Sequence, residues 1–222
     1  MFLKSLFKIN QADRSKFVCK VIDSSSPNVD FYFLVFLSSL IVAFGLAANN
    51  LILVIGGMLV TPLLSPVLAI ALGVVTNEQK LLFRSVKVFI LAVFLGFLIS
   101  FLLGLTVKVY VYRVDLIALM RPSVFAFVVA FTAGLAASYS WIKPGLDKLL
   151  PGTAVTVTLI PPVVALGLVL AERSWFLFFR ILEYLIINVF GIIAGALVIF
   201  ILMEFYRSKR KTAIEIKASL KH

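Results

Sequence analysis

The feature that most limits how this chain can fold is a succession of six apolar stretches. Each is close to the roughly 20 residues an α-helix needs to cross a hydrocarbon layer about 30 Å thick. They run from Phe31 to Ala48, Leu51 to Val75, Val88 to Val107, Val124 to Trp141, Ala154 to Ala171 and Leu185 to Met203. Composition agrees, since 62% of the residues are hydrophobic and 14% charged, whereas a soluble domain is typically about half apolar and about a quarter charged. A backbone in hydrocarbon must satisfy its own polar groups, so such stretches are expected as helices. The expected fold class is all-α, a polytopic membrane protein of about six transmembrane helices.

A net charge of +11 would point to nucleic acid in a soluble protein. Here the cations concentrate in the tails and between apolar runs, which is the positive-inside pattern, and no nucleic-acid partner is expected. With a cytoplasmic amino terminus, 16 of the 21 Lys and Arg fall on inside segments and 5 outside. This predicts a multi-pass protein of the plasma (cytoplasmic) membrane with both termini in the cytoplasm. The third connection, with Lys108, Arg113 and Arg121, is more basic than an outside loop should be. Tyr110, Tyr112, Trp141, Trp175, Phe205 and Tyr206 stand at the ends of spans, where amphipathic rings sit at the headgroup level.

The first 22 residues interrupt their apolar positions with Lys4, Lys8, Arg14, Lys16 and Lys20, so no signal peptide is expected. Phe2, Leu6 and Ile9 fall at i, i+4 and i+7. That spacing describes a short interfacial helix on anionic lipid at the cytoplasmic face, with a disordered basic tail as the alternative.

A repeat runs through the chain. Pro-Leu-Leu-Ser-Pro at 62–66 and Leu-Leu-Phe-Arg at 81–84 answer to Ile-Pro-Pro at 160–162 and Leu-Phe-Phe-Arg at 177–180. Pro66 to Pro162 and Arg84 to Arg180 both span 96 residues. Gly-Leu-Ala-Ala recurs at 45–48 and 134–137, at an offset of 89. Three spans per half would place the halves in opposite orientations, an inverted 3+3 repeat. The resulting organisation is a basic segment at 1–30, a first three-helix repeat at 31–107, an extracytoplasmic connection at 108–123, a second repeat at 124–203 and a basic tail at 204–222.

Inverted three-span repeats recur in transporters and channels, with the functional centre near the midplane where discontinuous helices meet. Proline lacks an amide hydrogen and crowds the preceding turn. Pro62 and Pro66 should therefore break the second span, and Pro161 and Pro162 the fifth, each freeing carbonyls in hydrocarbon. Thr61, Ser65, Thr156 and Thr158 are their natural local partners, and also the hydroxyls of a substrate site for a cation, water or a small polar solute. A kinked packing helix whose hydroxyls satisfy its own backbone is the competing explanation. Asn49 and Asn50 fit a hairpin turn or a vestibule.

Small residues form i, i+4 stripes: Ala92, Gly96, Ser100 and Gly104; Ala130, Gly134 and Ser138; Gly191 with Gly195. That is the spacing of close helix contact within the bundle, with homo-oligomerisation as the alternative. No ionisable residue falls in the middle of a span, Cys19 is alone and His222 is terminal. No catalytic, metal or cofactor constellation follows, so an enzyme is not expected. A scaffold or sensor subunit is the alternative to a permeation protein.

Pro-Asn-Val-Asp-Phe-Tyr-Phe at 27–33, Val-Ile-Gly-Gly-Met-Leu-Val-Thr-Pro-Leu-Leu-Ser-Pro at 54–66 and Ala-Gly-Leu-Ala-Ala-Ser-Tyr-Ser at 133–140 resemble a known family, as do Leu-Pro-Gly at 150–152 and Ile-Pro-Pro at 160–162. The resemblance is to the uncharacterised hydrophobic membrane proteins grouped as domain of unknown function 389, with Gly57 standing where members commonly have Ala. It covers residues 27 to about 203, implies a polytopic inner-membrane protein and supplies no activity.

Overall fold

The computed structural model of the chain describes residues 11–107, 115–118, 120–143, 153–203 and 205. Among them the regular structure is helical: α1 Gln11–Ser24, α2 Val29–Ala47, α3 Leu51–Val60, α4 Leu64–Thr76, α5 Gln79–Thr106, α6 Asp115–Ala118, α7 Val124–Ile142, α8 Thr153–Ala171 and α9 Trp175–Leu202. Helices α2, α5, α7 and α9 are long and apolar enough to cross a membrane, and α3 with α4 makes a fifth candidate, bent by 54°. The described apolar side chains of α8, Leu159–Ala171, make a shorter helix. Of the six expected crossings, four straight candidates and one bent candidate are present among the described residues. The first part of the fifth stretch lies outside the described side chains.

Helices α4 and α8 form the core. Every residue of Leu64–Gly73 is buried, as is every one from Leu159 to Val169. A helix apolar on all sides must be covered on all sides. Both pack on α5 and on α9, and α8 also touches α2 and α3. The long helices turn Phe33, Phe44, Phe94, Leu105, Phe125 and Phe190 outward, each more than half exposed. In water such a surface is an aggregation liability, whereas in hydrocarbon it costs nothing.

Backbone geometry recurs with the 96-residue offset. Helices α5 and α9 both have 28 residues, and begin at Gln79 and Trp175. Before them lie matching left-handed turns at Asn77 and Arg173, both with φ 56°. Glu78 N donates to Gly73 O at 3.0 Å, and Ser174 N to Val169 O at 3.1 Å. An apolar cavity of about 210 Å³ between α5 and α9 is lined by Phe89, Ile90 and Val93 opposite Leu185, Ile186 and Val189, each pair 96 apart. The Gly-Leu-Ala-Ala match does not share this register, because α2 and α7, each of 19 residues, begin at Val29 and Val124.

At one end α1 is docked into the bundle. Phe17, Val18, Val21 and Ile22 are buried, and the Phe17 ring lies 5.5 Å from those of Phe200 and Phe205. Arg14 Nη2 donates to Met203 O at 2.7 Å, Lys20 Nζ stands 4.9 Å over Trp141, and Arg84 Nη2 donates to Ser26 Oγ at 3.0 Å. The apolar face of α1 is thus spent on protein; the expected interfacial helix, with Phe2, Leu6 and Ile9, lies outside the described residues. At the other end Asn49 Nδ2 donates to Asp115 Oδ2 at 3.2 Å. Asn50 Oδ1 caps α3 by accepting from Ile52 N and Leu53 N, so the two asparagines make the hairpin turn between α2 and α3.

Backbones meet at the glycines. A Cβ on Gly195 would collide with Phe131 O and Leu135 N, one on Gly134 with Ile192 O, and one on Gly191 would stand 2.8 Å from Ala130 Cβ. On α5, a Cβ on Gly104 would stand 2.7 Å from Ala171 Cβ and one on Gly96 2.9 Å from Ser39 Oγ, and Ser100 Oγ occupies the space in front of Gly167. Lipid tails are as apolar as the helices, so dispersion at such close contacts holds the bundle. Gly195→Ala is expected to destabilise by about 1–3 kcal/mol, as overpacking does. Gly56→Ala, with nothing within 4 Å of the added methyl, should leave stability unchanged or raise it slightly; thermal unfolding in detergent checks both.

Candidate functional site at the helix break

Pro62 makes the break. It disfavours the helical region for the residue before it, and Thr61 is extended at φ −75°, ψ 134°, ending α3. Pro62 also leaves Met58 O without its helical donor. Pro66 breaks nothing, since it falls in the first turn of α4, where no amide hydrogen is needed. The carbonyl it deprives, Pro62 O, accepts from Ser65 N at 3.3 Å and lies 3.0 Å from Ser65 Oγ. Ser65 Oγ also lies 2.8 Å from Ser24 O, the last residue of α1. A hydroxyl has one proton, so it serves one of these carbonyls at a time.

The fifth span differs from expectation. Pro161 and Pro162 lie inside α8, which runs on as a helix. The offset explains this: Pro162 corresponds to Pro66, the tolerated proline, whereas the breaking Pro62 corresponds to Thr158. Burial from Leu159 onward holds the helix through both prolines, at the cost of the donors that the carbonyls of Val157 and Thr158 would otherwise receive. The side chains of Thr156 and Thr158 lie outside the described residues.

Two hydroxyls near the break stand out. Thr61 Oγ1 and Ser39 Oγ are buried with no hydrogen-bond partner. Other serines satisfy themselves on their own helix: Ser38 Oγ lies 3.0 Å from Val35 O, Ser100 Oγ 3.0 Å from Gly96 O and Ser138 Oγ 2.7 Å from Gly134 O. A buried, unsatisfied polar group costs about 1–3 kcal/mol. Ser39 faces the space in front of Gly96 together with Val163 and Ile160 of α8, so the residues flanking Pro161 and Pro162 converge on it.

Of the residues singled out in the sequence, Thr61, Pro62, Ser65 and Pro66 are contiguous at the break, while Pro161 and Pro162 approach through α2 and α5. Helices α4 and α8 pack chiefly on shared neighbours rather than on each other. Ser39 escaped the sequence reading, although Ser38-Ser39 in mid-span was the signal for it. Cavities bounded by described residues lie between α2 and α5, between α5 and α9, and between α7 and α9. Among the described residues, no cluster of His, Cys, Asp or Glu is suited to a metal.

An all-helical bundle with an apolar exterior, a broken helix and matched halves defines a class of membrane-type protein rather than an activity. The family profile described as "Domain of unknown function (DUF389)" matches residues 58–194, and the chain belongs to that family. It is 24% identical over 164 residues to the uncharacterized protein MJ0678 of Methanocaldococcus jannaschii, covering 74% of this chain and 51% of that protein. The chain thus spans about half the length of this relative. No solved structure matches it.

Ser65→Ala is expected to cost about 1 kcal/mol and to speed amide exchange in residues 17–26 by loosening the α1 contact. Thr61→Val, which removes only an unpartnered hydroxyl, should leave stability unchanged or raise it. Hydrogen exchange with mass spectrometry and thermal unfolding separate the two.

Proposed function

We propose that this chain is a solute or ion permeation protein of the cytoplasmic membrane, with its site at the Thr61–Pro62 break. The observation that carries the reading is the pair of buried, unpartnered hydroxyls, Thr61 Oγ1 and Ser39 Oγ, in a bundle where Pro62, Pro161 and Pro162 also deprive three carbonyls of helical donors. Polar atoms that cost stability in a dry core are retained where a transient ligand pays them back. Hydroxyls and free carbonyls, with no ionised group, suit a weakly held cation, water or a small neutral solute.

In this reading the two halves are an inverted 3+3 repeat of six crossings, with both termini cytoplasmic. The matched turns at Asn77 and Arg173 and the cavity lined by equivalent residues support a two-fold relation between halves. The end carrying α1 also gathers Lys80, Arg84, Lys87 and Lys143 and is placed on the cytoplasmic side beside anionic lipid. The protein is assigned no catalytic step. Close glycine packing would equally suit a scaffold or sensor subunit, and transport tests decide between the two.

Two measurements test the proposal. In a Cys19→Ser background, Lys80→Cys and Phe176→Cys sit at equivalent, exposed positions of the two halves. A membrane-impermeant maleimide should reach the first only from the cytoplasm and the second only from outside; labelling of both from one side eliminates the inverted arrangement. Purified protein in liposomes should pass at least one of K⁺, Na⁺, Cl⁻ or glycerol, and Ser39→Ala with Thr61→Val should cut that flux roughly tenfold, as loss of about 1.4 kcal/mol of ligand stabilisation would. Flux unchanged in the double variant rules out the site, and no flux of any probe favours the scaffold.

A further inference from the structure

Beside the break at Pro62 lies a helix of a different kind from the spans. Helix α1 carries Asp13, Arg14, Lys16, Lys20 and Asp23 within 14 residues, and a segment so charged stays with water rather than hydrocarbon. Lys16, Asp23 and Ser24 are exposed. Yet the last residue of α1 reaches the first turn of α4, where Ser65 Oγ lies 2.8 Å from Ser24 O. Water at the exposed end of α1 is therefore one hydrogen bond away from the segment that carries the break.

Behind this contact the break is closed. Thr61, Leu63, Leu64 and Ser65 are each at most 6% exposed. Helix α1 packs on α4 and α7, and its Phe17 ring meets Phe200 of α9. Its inner face, Phe17, Val18, Val21 and Ile22, fills the space between the three.

The polar contacts that hold α1 are also ones that can be given up. Ser65 has one proton for two carbonyls, Ser24 O and Pro62 O at 3.0 Å. When α1 withdraws, the hydroxyl passes to Pro62 O and the repair of α4 is kept. Ser24 is exposed, so its carbonyl passes to water. Arg14 on Met203 O, Lys20 over Trp141 and Arg84 on Ser26 Oγ stand at the same end, where water replaces each contact at small net cost. The connector 25–28, with Pro27, joins α1 to α2 outside either helix and supplies the pivot. What resists release is the apolar inner face, and the membrane surface accepts an amphipathic helix of this kind.

We infer that α1 is a hinged gate that closes the Thr61–Pro62 break from the cytoplasmic side, on the reading that the break is a permeation site. With α1 seated, the break meets only protein on that side. With α1 swung onto the membrane surface, Thr61 and Ser65 meet the cytoplasm.

The test places a single cysteine at the break, Thr61→Cys in a Cys19→Ser background of the full chain. Its reaction with a small, impermeant methanethiosulfonate is timed in vesicles of either orientation. With α1 seated, the reaction should be slow from both faces. Phe17→Ala, which removes the ring packed on Phe200 and Phe205, and Arg84→Ala, which releases Ser26, should each speed it about tenfold or more from the cytoplasmic face alone. Phe125→Ala, on the exposed start of α7, should leave it unchanged. With Thr61 intact, Phe17→Ala and Arg84→Ala should also raise the flux of whichever of K⁺, Na⁺, Cl⁻ or glycerol the protein passes. Faster labelling in a protein that passes none of them keeps α1 as the cover of the break and removes the permeation reading alone. Labelling at the unmodified rate in both variants, each still folded by thermal unfolding in detergent, overturns the gate whatever the flux.

Discussion

The arrangement of this protein turns on one missing hydrogen, the amide proton that Pro62 lacks. In water a freed carbonyl is solvated and a break costs little, but between packed apolar helices each freed group needs a partner from the chain or from a ligand. Pro62 forces Thr61 out of the helical region, ends α3 and redirects the chain by 54° into α4. That redirection takes α4 off the surface and into the middle, where Leu64–Gly73 is covered on every side. Ser65 then repairs the second loss, at Pro66, and the same hydroxyl lies in reach of the end of α1. One imino acid thus decides where the core helix lies and how the amino-terminal helix is seated.

Holding such a core requires helices to approach more closely than large side chains permit. The hydrophobic effect offers no help between helices already in hydrocarbon, so backbone proximity has to supply the dispersion energy. Gly134, Gly191 and Gly195 do this between α7 and α9, and Gly96, Gly104 and Gly167 between α5 and α8. The second group joins the halves, since α5 belongs to the first and α8 to the second. Ser39 sits on that seam with its hydroxyl unsatisfied. Tight packing and an unmet polar group at one point are a local conflict of the kind that marks function more often than stability.

Much of this was legible in the sequence because the signals are backbone chemistry. The Pro-Leu-Leu-Ser-Pro run announced the break, the 96-residue spacing announced matching turns and helix lengths, and the i, i+4 glycines announced close contacts. Pro161 and Pro162 misled, because mid-helix prolines cost hydrogen bonds without having to break a helix that burial holds on every side, and α8 runs through both. The docking of α1 went unread, because the helical spacing of Phe17, Val18, Val21 and Ile22 fits a partner of lipid or of protein equally. Ser39 was hidden because a serine in a span ordinarily bonds its own helix, as Ser38 and Ser100 do, and only tertiary placement shows that this one does not.

The two halves are most instructive where they differ. Related by the same offset, Pro62 answers to Thr158 and Ser65 to Pro161, so one half breaks its helix and the other keeps it. Arg84 fastens α1, while Arg180 retains its charge with no such duty and with Nε buried and unpartnered. Where the two halves follow one pattern, the shared turns and helix lengths build the scaffold, and the departures at Pro62 and Arg84 set the break and the seat of the amino-terminal helix.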